Sequence, residues 1–308
     1  MKGIPKNSCT IEEVINFYRN SPNYCRLSSS SQRDYDNHLS AVLVTEVEGK
    51  HLREYRCKNL KVRHVTQAYD QWLTVGTRTA QYRKSVFNTA WKHAMRYDVM
   101  DHNPIALVES ISPEPRRVYW TEDQVRTFLE VAYNNWRWRS MALIVHMAYD
   151  WGQRVGDMRL LTWDKLDLNN CQMNMTQSKR NAEVHLPIGE KLCMVLRQQQ
   201  EDFGYQEYVV PRTIPRAGAY TPYDKKEIYK NINDILDEAK LPRHLCAMDL
   251  RRTAVKEMME GGADTIGMMQ VTGHKNISSL KPYMVNTLSG AKKALSTRGA
   301  NNGLREED

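Results

Sequence analysis

The sequence predicts a mainly α-helical protein of two domains, the second of which also carries a small antiparallel β-sheet. Three observations support this prediction. Residues 1–111 hold successive amphipathic segments with helix-capping signals, the stretch 112–119 contains prolines and lacks periodicity, and residues 120–296 combine helical patterns with one pair of short strands. The length of 308 residues suits two domains. Residues 297–308 are polar, and we expect them to be disordered.

The N-terminal domain, residues 1–111, is predicted to contain a string of helices. Thr10 and Glu13 have the spacing of a capping box that opens the first helix. A serine-rich stretch precedes the second, which runs through Leu43. The third is expected over about 62–73 and the fourth over about 79–97.

The fourth helix has an apolar face and, on another side, a polar and basic stripe. Glutamine and asparagine can read base edges, whereas lysine and arginine hold phosphates. We therefore predict that this stripe faces DNA, although a solvated helix face is the plain alternative. Its members are Gln81, Lys84, Asn88, Lys92 and Arg96.

The second domain, residues 120–296 after the linker 112–119, is predicted to open with a helix capped by Thr121. Two alternating segments, 172–176 and 183–187, are expected to pair as an antiparallel hairpin. Two adjacent glycines end the helix that contains Arg251, and an aspartate then caps the next helix. Leu288, Ala291 and Leu295 share one face of a predicted tail helix.

Two arginines, a histidine and a tyrosine follow one another in an order that suggests chemistry on a DNA phosphate. A phosphodiester is negatively charged, so fixed cations are needed to stabilise the charge that builds in the transition state. Arginine can grip two non-bridging oxygens and stays protonated. A phenol has an ordinary pKa of about 10, so nearby cations or a base must help it to attack. The candidates are Arg154, Arg251, His274 and the nucleophile Tyr283.

Four motifs then resemble the tyrosine recombinases of the phage integrase type. Arg154 lies in Gly-Gln-Arg-Val-Gly-Asp, similar to the first arginine box, and Arg251 lies in Asp-Leu-Arg-Arg-Thr, similar to the second. His274 follows a glycine and precedes Tyr283 by nine positions, which is the family's spacing. Lys179 lies in the predicted hairpin turn, where the family carries a catalytic lysine.

The resemblance implies a tyrosine recombinase fold, with a core-binding domain before the catalytic domain, and the activity of a site-specific DNA recombinase or integrase from a phage or mobile element. Tyr283 would form a 3′-phosphotyrosine, Lys179 would protonate the 5′-hydroxyl, and strands would exchange through a Holliday junction. Arg154, Arg251 and His274 would stabilise the pentacoordinate phosphate. No metal or other cofactor is implied.

One position departs from the family pattern. Met248 stands where the family usually has histidine, three residues before Arg251, and a thioether cannot transfer a proton. His244 could reach the same space from the preceding loop, or Met248 could simply pack. Asp157, three residues after Arg154, is interpreted as an orienter of arginines.

Two other functions stay open at this point. A type IB topoisomerase-like enzyme uses a similar residue set but reseals its own strand, and a DNA-binding protein with impaired catalysis is compatible with Met248. The implied partners are double-stranded DNA with core-type sites and a homo-tetramer on that DNA, with a monomer in solution as one option and accessory directionality or bending proteins as another. The segment after Tyr283 either docks on a neighbouring protomer or folds back.

Composition agrees with a polyanionic partner, because the formal net charge is +8. Six cysteines lack paired metal-ligand spacing, which argues against a zinc site or disulfide framework and favours a reducing compartment. No stretch has the length or apolarity of a signal peptide or transmembrane segment. We therefore expect a protein without membrane contact, acting on DNA in the cytoplasm of a bacterial host cell.

Overall fold

The chain divides into two compact units, Met1–Pro115 and Arg116–Asp308. This computed structural model describes residues 8–179, 181–280, 292, 295 and 296. The division between the units falls within the stretch 112–119 that we interpreted as a linker. Tyr283, most of the predicted tail helix and the tail 297–308 lie outside the described residues.

The first unit is built almost entirely from helices. Thr10 caps the first helix through the predicted capping box with Glu13, and Ser28 caps the third. Gly76 has φ +141° and separates α4 from α5, the longest helix of this unit. The elements are α1 Ile11–Arg19, α2 Pro22–Cys25, α3 Ser29–Leu43, β1 Glu46–Val47, β2 Lys50–His51, α4 Val62–Val75 and α5 Thr77–Arg96. The four predicted helices are confirmed, and α2 and the β1–β2 pair were not foreseen.

Large apolar side chains from all the long helices of this unit form one core. Two tryptophans in it satisfy their indole N–H groups: Trp72 donates to Thr45 Oγ1 at 2.8 Å and Trp91 donates to the carbonyl of His102 at 2.7 Å. The predicted apolar face of α5 is buried, which fixes its polar side outward. The largest buried side chains are Ile11, Ile15, Leu39, Leu52, Leu60, Trp72, Phe87, Trp91 and Ile105.

The second unit surrounds an almost wholly buried helix with other helices and a small sheet. Its elements are α6 Glu122–Tyr133, α7 Arg139–Asp150, α8 Val155–Met158, β3 Leu166–Asp167, β4 Gln172–Thr176, β5 Glu183–Pro187, α9 Glu190–Phe203, α10 Lys225–Glu238, α11 Ala247–Glu260 and α12 Thr265–Thr272. The central helix α7 packs against α6 and α11. Thr121 and Asp264 cap α6 and α12 as predicted, and Gly261 follows the last residue of α11.

The sheet has the order β3-β4-β5 with both pairs antiparallel. Strands β4 and β5 are those predicted, paired from Gln172 opposite Pro187 to Thr176 opposite Glu183. Their side chains alternate between exposed and buried, so one face packs on the core and the other faces solvent. The turn between them therefore projects from a fixed base, and that turn carries Lys179.

The start of α11 is fixed by a buried carboxylate. Asp249 is 0% exposed and accepts hydrogen bonds from Arg116 and from Arg252. Arg116 also donates to the carbonyl of His244. Because a buried carboxylate needs such partners, the two guanidinium groups hold the first turn of α11 and with it the register of Arg251.

Candidate active site

Arg154 is placed by a sharp turn between α7 and α8. Gly152 has φ +58°, and a Cβ there would lie 3.3 Å from the Cβ of Ala254 on α11, so the turn approaches α11 closely. Arg154 then occupies the N-cap position of α8. Its Nη1 donates to Gln177 Oε1 at 2.8 Å and lies 3.6 Å from Asp157 Oδ2. One quarter of the side chain, 25%, stays exposed and can meet a ligand.

Arg251 lies deeper than Arg154 and is held by backbone carbonyls. It is 6% exposed, and its Nη1 donates to the carbonyl of Gly152 at 3.1 Å. Its Nη2 donates to the carbonyl of Thr272 at 2.5 Å, the last residue of α12, where the helix dipole favours a cation. Nη2 also lies 3.4 Å from Nε2 of His274. Arg251 thus joins the first arginine segment to the segment around His274.

His274 is 6% exposed and its ring is oriented by Thr272. The Thr272 hydroxyl lies 2.6 Å from the carbonyl of Met268 and 2.6 Å from His274 Nδ1. The hydroxyl has one proton, and the carbonyl can only accept, so Thr272 donates to Met268. His274 Nδ1 must then carry the hydrogen, which in the neutral ring leaves the lone pair of Nε2 directed toward Arg251. Gly273, with φ +65°, makes the turn that brings the ring back over Thr272.

Lys179 is exposed in the β4–β5 turn, but the backbone beneath it is tightly tied. The amide of Gln177 donates to the carbonyl of Ala182 at 2.8 Å, and the amide of Asn181 donates to the carbonyl of Gln177 at 3.0 Å. Ser178 donates to Asp157 Oδ1 through its amide at 3.2 Å and through its hydroxyl at 2.5 Å. The lysine side chain is thus free to reach a ligand from a fixed root.

Asp157 contacts two segments of the site, whereas the sequence suggested only a contact with arginine. We interpreted it as an orienter of arginines, and its Oδ2 does lie 3.6 Å from Arg154. Its other oxygen holds the hairpin turn through Ser178. The carboxylate is 6% exposed and so joins the arginine segment to the segment carrying Lys179.

The two auxiliary candidates before Arg251 do not complete the cluster. Met248 is 72% exposed, so the alternative that it packs in the interior is wrong: it lies in the first turn of α11, where the other face is buried. His244 is exposed in the preceding loop, and its backbone carbonyl accepts a hydrogen bond from Arg116. Within residues 8–179 and 181–280 its ring makes no hydrogen bond to Arg154, Arg251 or His274.

Sequence reasoning missed three buried polar residues at the centre of this cluster: Gln153, Gln177 and Thr272, exposed by 1%, 0% and 0%. Gln153 Nε2 donates to the carbonyls of Trp151 and Val271 at 2.9 and 2.6 Å. One signal could have revealed Gln177. The inward positions of β4 alternate through 173 and 175, and the next is a glutamine placed two residues before Lys179.

In the first unit, the predicted DNA-facing stripe is only partly available. Lys84 Nζ donates to the carbonyl of Val108 and to Ser110 Oγ, the latter at 2.7 Å, and burial lowers the pKa of this ammonium. Asn88 Oδ1 accepts from Asn103 at 2.9 Å. Lys92 and Arg96 are exposed. A groove of about 400 Å³ is lined by Arg78, Gln81, Tyr82, Lys84, Ser85, Asn88 and Ser110.

Two other kinds of feature, a metal centre and a membrane-spanning helix, are not found in the part of the chain that the structure describes. In that part, no three His, Cys, Asp or Glu side chains lie close enough together to hold a metal ion. Nor does any helix there combine the length and apolarity needed to cross a membrane.

The helical domain with its inserted hairpin, and the meeting of Arg154, Arg251 and His274 from three separate segments, are the features of a tyrosine recombinase catalytic domain. The model of the phage integrase family matches residues 119–288. That match spans more than half of the chain, and the chain therefore belongs to the phage integrase family. The family and the fold class that the sequence predicted are both confirmed.

Relatives and solved structures agree with this membership. The tyrosine recombinase XerC of Anoxybacillus flavithermus is 22% identical over 217 residues, covering 67% of this chain and 71% of the relative. XerC of Bacillus pumilus is 23% identical, covering 71% and 73%.

Two integrases solved on DNA have the same fold. A lambda integrase dimer bound to a COC′ core site superposes with a TM-score of 0.74 at 15% identity, covering 92% of this chain and 81% of that one. The Tn1549 transposon integrase in complex with a circular intermediate DNA also gives 0.74, at 13% identity and with 94% and 100% covered.

Proposed function

We propose that this protein is a site-specific DNA recombinase that cuts and rejoins DNA through a transient bond between Tyr283 and a 3′-phosphate. The observation that carries the proposal is the cluster of two arginines and a histidine in the second unit. Arg251 hydrogen-bonds to the turn before Arg154, and its Nη2 lies 3.4 Å from His274. This cluster lies beside the root of an exposed lysine, in a chain whose family match extends through Tyr283.

The proposed reaction is a balanced phosphoryl transfer. The Tyr283 oxygen forms a bond to phosphorus as the bond to the 5′-oxygen breaks, and the phenolic proton passes to a base or to water. Lys179 donates a proton to the departing 5′-oxygen. Arg154 and Arg251 stabilise the charge on the non-bridging oxygens, with His274 beside them. Attack by a 5′-hydroxyl from another strand reverses these steps and joins the new pair.

The geometry also indicates which side chains are already oriented before DNA binds. Arg251 and His274 are nearly buried and already oriented, so little reorganisation is needed when a phosphate arrives. Arg154 and Lys179 are more exposed and supply the contacts nearest to solvent. A preorganised arginine and histidine beside an exposed lysine suit a transfer that must run in both directions.

In the first unit, we propose that the polar side of α5 contacts duplex DNA. Lys92 and Arg96 are exposed and can hold phosphates, and Gln81 lines the groove of about 400 Å³. Lys84 and Asn88 line that groove too, although each already has a partner within the unit. The net charge of +8 adds an attraction that is independent of sequence.

We further propose that four copies act together on DNA in a bacterial cytoplasm. Lambda integrase, whose solved tetramer is bound to a Holliday junction, superposes on this chain with a TM-score of 0.73. The XerC relatives come from bacteria. Accessory bending or directionality proteins are a further expectation that follows from the family resemblance alone.

The test is covalent capture on DNA. The full chain is mixed with duplexes that carry a nick within randomised sequence, and adducts that survive denaturation are collected and sequenced. We expect adducts from the wild type and from Tyr229→Phe, a control at an exposed tyrosine of the same unit, and none from Tyr283→Phe. Absence of any wild-type adduct would contradict the proposal and favour a DNA-binding protein without catalysis. Adducts that only reseal their own strand would favour a topoisomerase-like activity.

A further inference from the structure

The side chain of Gln177 lies at the meeting point of three segments of the candidate active site. Its Oε1 accepts from Arg154 Nη1 at 2.8 Å. Its Nε2 donates to Gln153 Oε1 at 2.6 Å and to the carbonyl of Thr272 at 2.9 Å. The side chain is 0% exposed, so these bonds take place away from water, where they are strong and costly to lose.

The neighbours of the carboxamide permit only one orientation. A flipped amide would turn its NH2 group toward the Arg154 guanidinium and its oxygen toward two other acceptors, Gln153 Oε1 and the Thr272 carbonyl. In the observed orientation a neutral oxygen faces the cation. This acceptor fixes the direction of Arg154 without cancelling its charge, whereas a carboxylate at the same place would neutralise it.

Gly273 brings the segment containing His274 into the same contact. A Cβ at residue 273 would lie only 2.7–2.9 Å from the carboxamide atoms of Gln177. Since real side chains do not approach so closely, the carboxamide packs directly on the Gly273 backbone. His274 is the next residue, so the position of Gln177 and the path of the chain into His274 depend on each other.

The backbone of Gln177 belongs to the hairpin, and this connects the contacts to Lys179. Its amide and carbonyl bond to Ala182 and Asn181 across the β4–β5 turn. We propose that Gln177 is a positioning residue: through it, a docked hairpin sets the direction of Arg154 and supplies Lys179 at the same time. This inference rests on the proposed recombinase function and goes further, because it assigns to the hairpin the control of the phosphate-binding cation as well as of the general acid.

The variant that tests this is Gln177→Met, which keeps the side-chain length and removes all three hydrogen bonds. The matched control is Gln199→Met, because Gln199 is also 0% exposed in the same unit but donates to the carbonyl of Val209 at 3.0 Å, outside the site. Both are assayed on the nicked duplexes captured by the wild type. We expect single-turnover cleavage by Gln177→Met to fall about 10- to 100-fold, as for a misdirected catalytic group. The control should stay within about threefold of the wild type.

A double-variant cycle separates positioning from a general loss of structure. If Gln177 acts through Arg154, adding Gln177→Met to Arg154→Ala causes little further loss, because the two effects share one route. A DNA in which a methyl group replaces one charged oxygen of the scissile phosphate should also shrink the defects of both single variants, since a neutral linkage needs the cation less. The defect of Lys179→Ala should persist on that DNA.

Cleavage by Gln177→Met at the rate of Gln199→Met, or losses that multiply in the double variant, would overturn the inference. These outcomes leave the proposed function intact, because the wild type still forms its Tyr283-dependent adduct in the same assay. If Gln177→Met does not fold, Gln177→Glu takes its place. The same loss is then expected because a carboxylate neutralises Arg154, and wild-type cleavage by that variant would overturn the inference.

Discussion

The two halves of the candidate active site differ in how deeply they are buried and in which elements hold them. Arg251 and His274 are each 6% exposed and are oriented by α12 through Thr272. Lys179 and a quarter of Arg154 are open to solvent, and their positions depend on the hairpin and its tethers. The buried half is part of the core, so damage to it should affect folding as well as chemistry. Damage to the exposed half should affect mainly chemistry.

The strongest test of this difference is to remove each arginine. Arg251→Ala should lower covalent cleavage by about a thousandfold or more, because a preorganised cation is lost. It should also lower the free energy of unfolding by about 2–4 kcal/mol, because the buried carbonyl of Gly152 loses the Arg251 donor and that of Thr272 loses one of its donors, Gln177 being another. Arg154→Ala should lower cleavage similarly with a smaller loss of stability. Denaturant unfolding of both variants measures this; equal stability losses would contradict the distinction.

Removal of the hairpin lysine should lower the rate of cleavage without changing the stability of the protein. Lys179→Ala should lower cleavage by about 10²–10⁴-fold, the usual contribution of a general acid, and leave the unfolding midpoint unchanged. A DNA whose leaving 5′-oxygen is replaced by sulfur needs no proton to depart. On that DNA the variant should approach the wild type, and a defect that persisted there would show that Lys179 is not the acid.

The two halves of the site meet where Gly273 packs on Gln177, and a single added carbon atom should strain this contact. Gly273→Ala places a Cβ within 2.9 Å of Gln177 at a positive φ and should destabilise the second unit by about 1–3 kcal/mol. Gly218→Ala is the matched control, since Gly218 has φ +78° with nothing within 4 Å of the added Cβ. Thermal unfolding should therefore show a larger loss for Gly273→Ala. Equal losses would mean that backbone strain alone, and not the Gln177 contact, is responsible.

The smallest effect is expected at the position that departs from the family pattern. Met248 is 72% exposed, so a new side chain there meets solvent or DNA and not the core. Met248→His should leave stability unchanged and keep cleavage intact or raise it by up to about tenfold, equivalent to about 1.4 kcal/mol. Single-turnover cleavage measures this, and complete loss of cleavage would show that the methionine has a function of its own.

The elements with strong local signals were predictable from the sequence. The capping box at Thr10 and the caps at Thr121 and Asp264 depend on residues only three apart, and β4 and β5 depend on simple alternation. The order and spacing of the site motifs likewise lie in the linear sequence. Such features can be predicted without knowing which residues pack against them.

The polar interior of the site could not be predicted in the same way. Its buried polar residues, Gln153, Gln177 and Thr272, bond to partners that are distant in the chain. Gln177, for example, donates to the carbonyl of Thr272, which lies 95 positions further along the sequence. A buried glutamine gives no local sign of which acceptor it will meet. The same reason explains why the partners of Lys84 and Asn88 were missed, since each lies in the segment after α5.

The most direct measurement is to identify both ends of the cleaved DNA and the residue that holds it. After capture on a nicked duplex, the adduct is digested with a protease and the DNA-linked peptide is sequenced by mass spectrometry, while the released strand is tested for a free 5′-hydroxyl by enzymatic phosphorylation. We predict a 3′-linked peptide with the DNA on Tyr283 and a 5′-hydroxyl that accepts label. A link through another residue, or a DNA 5′-end held by the protein, would contradict the account.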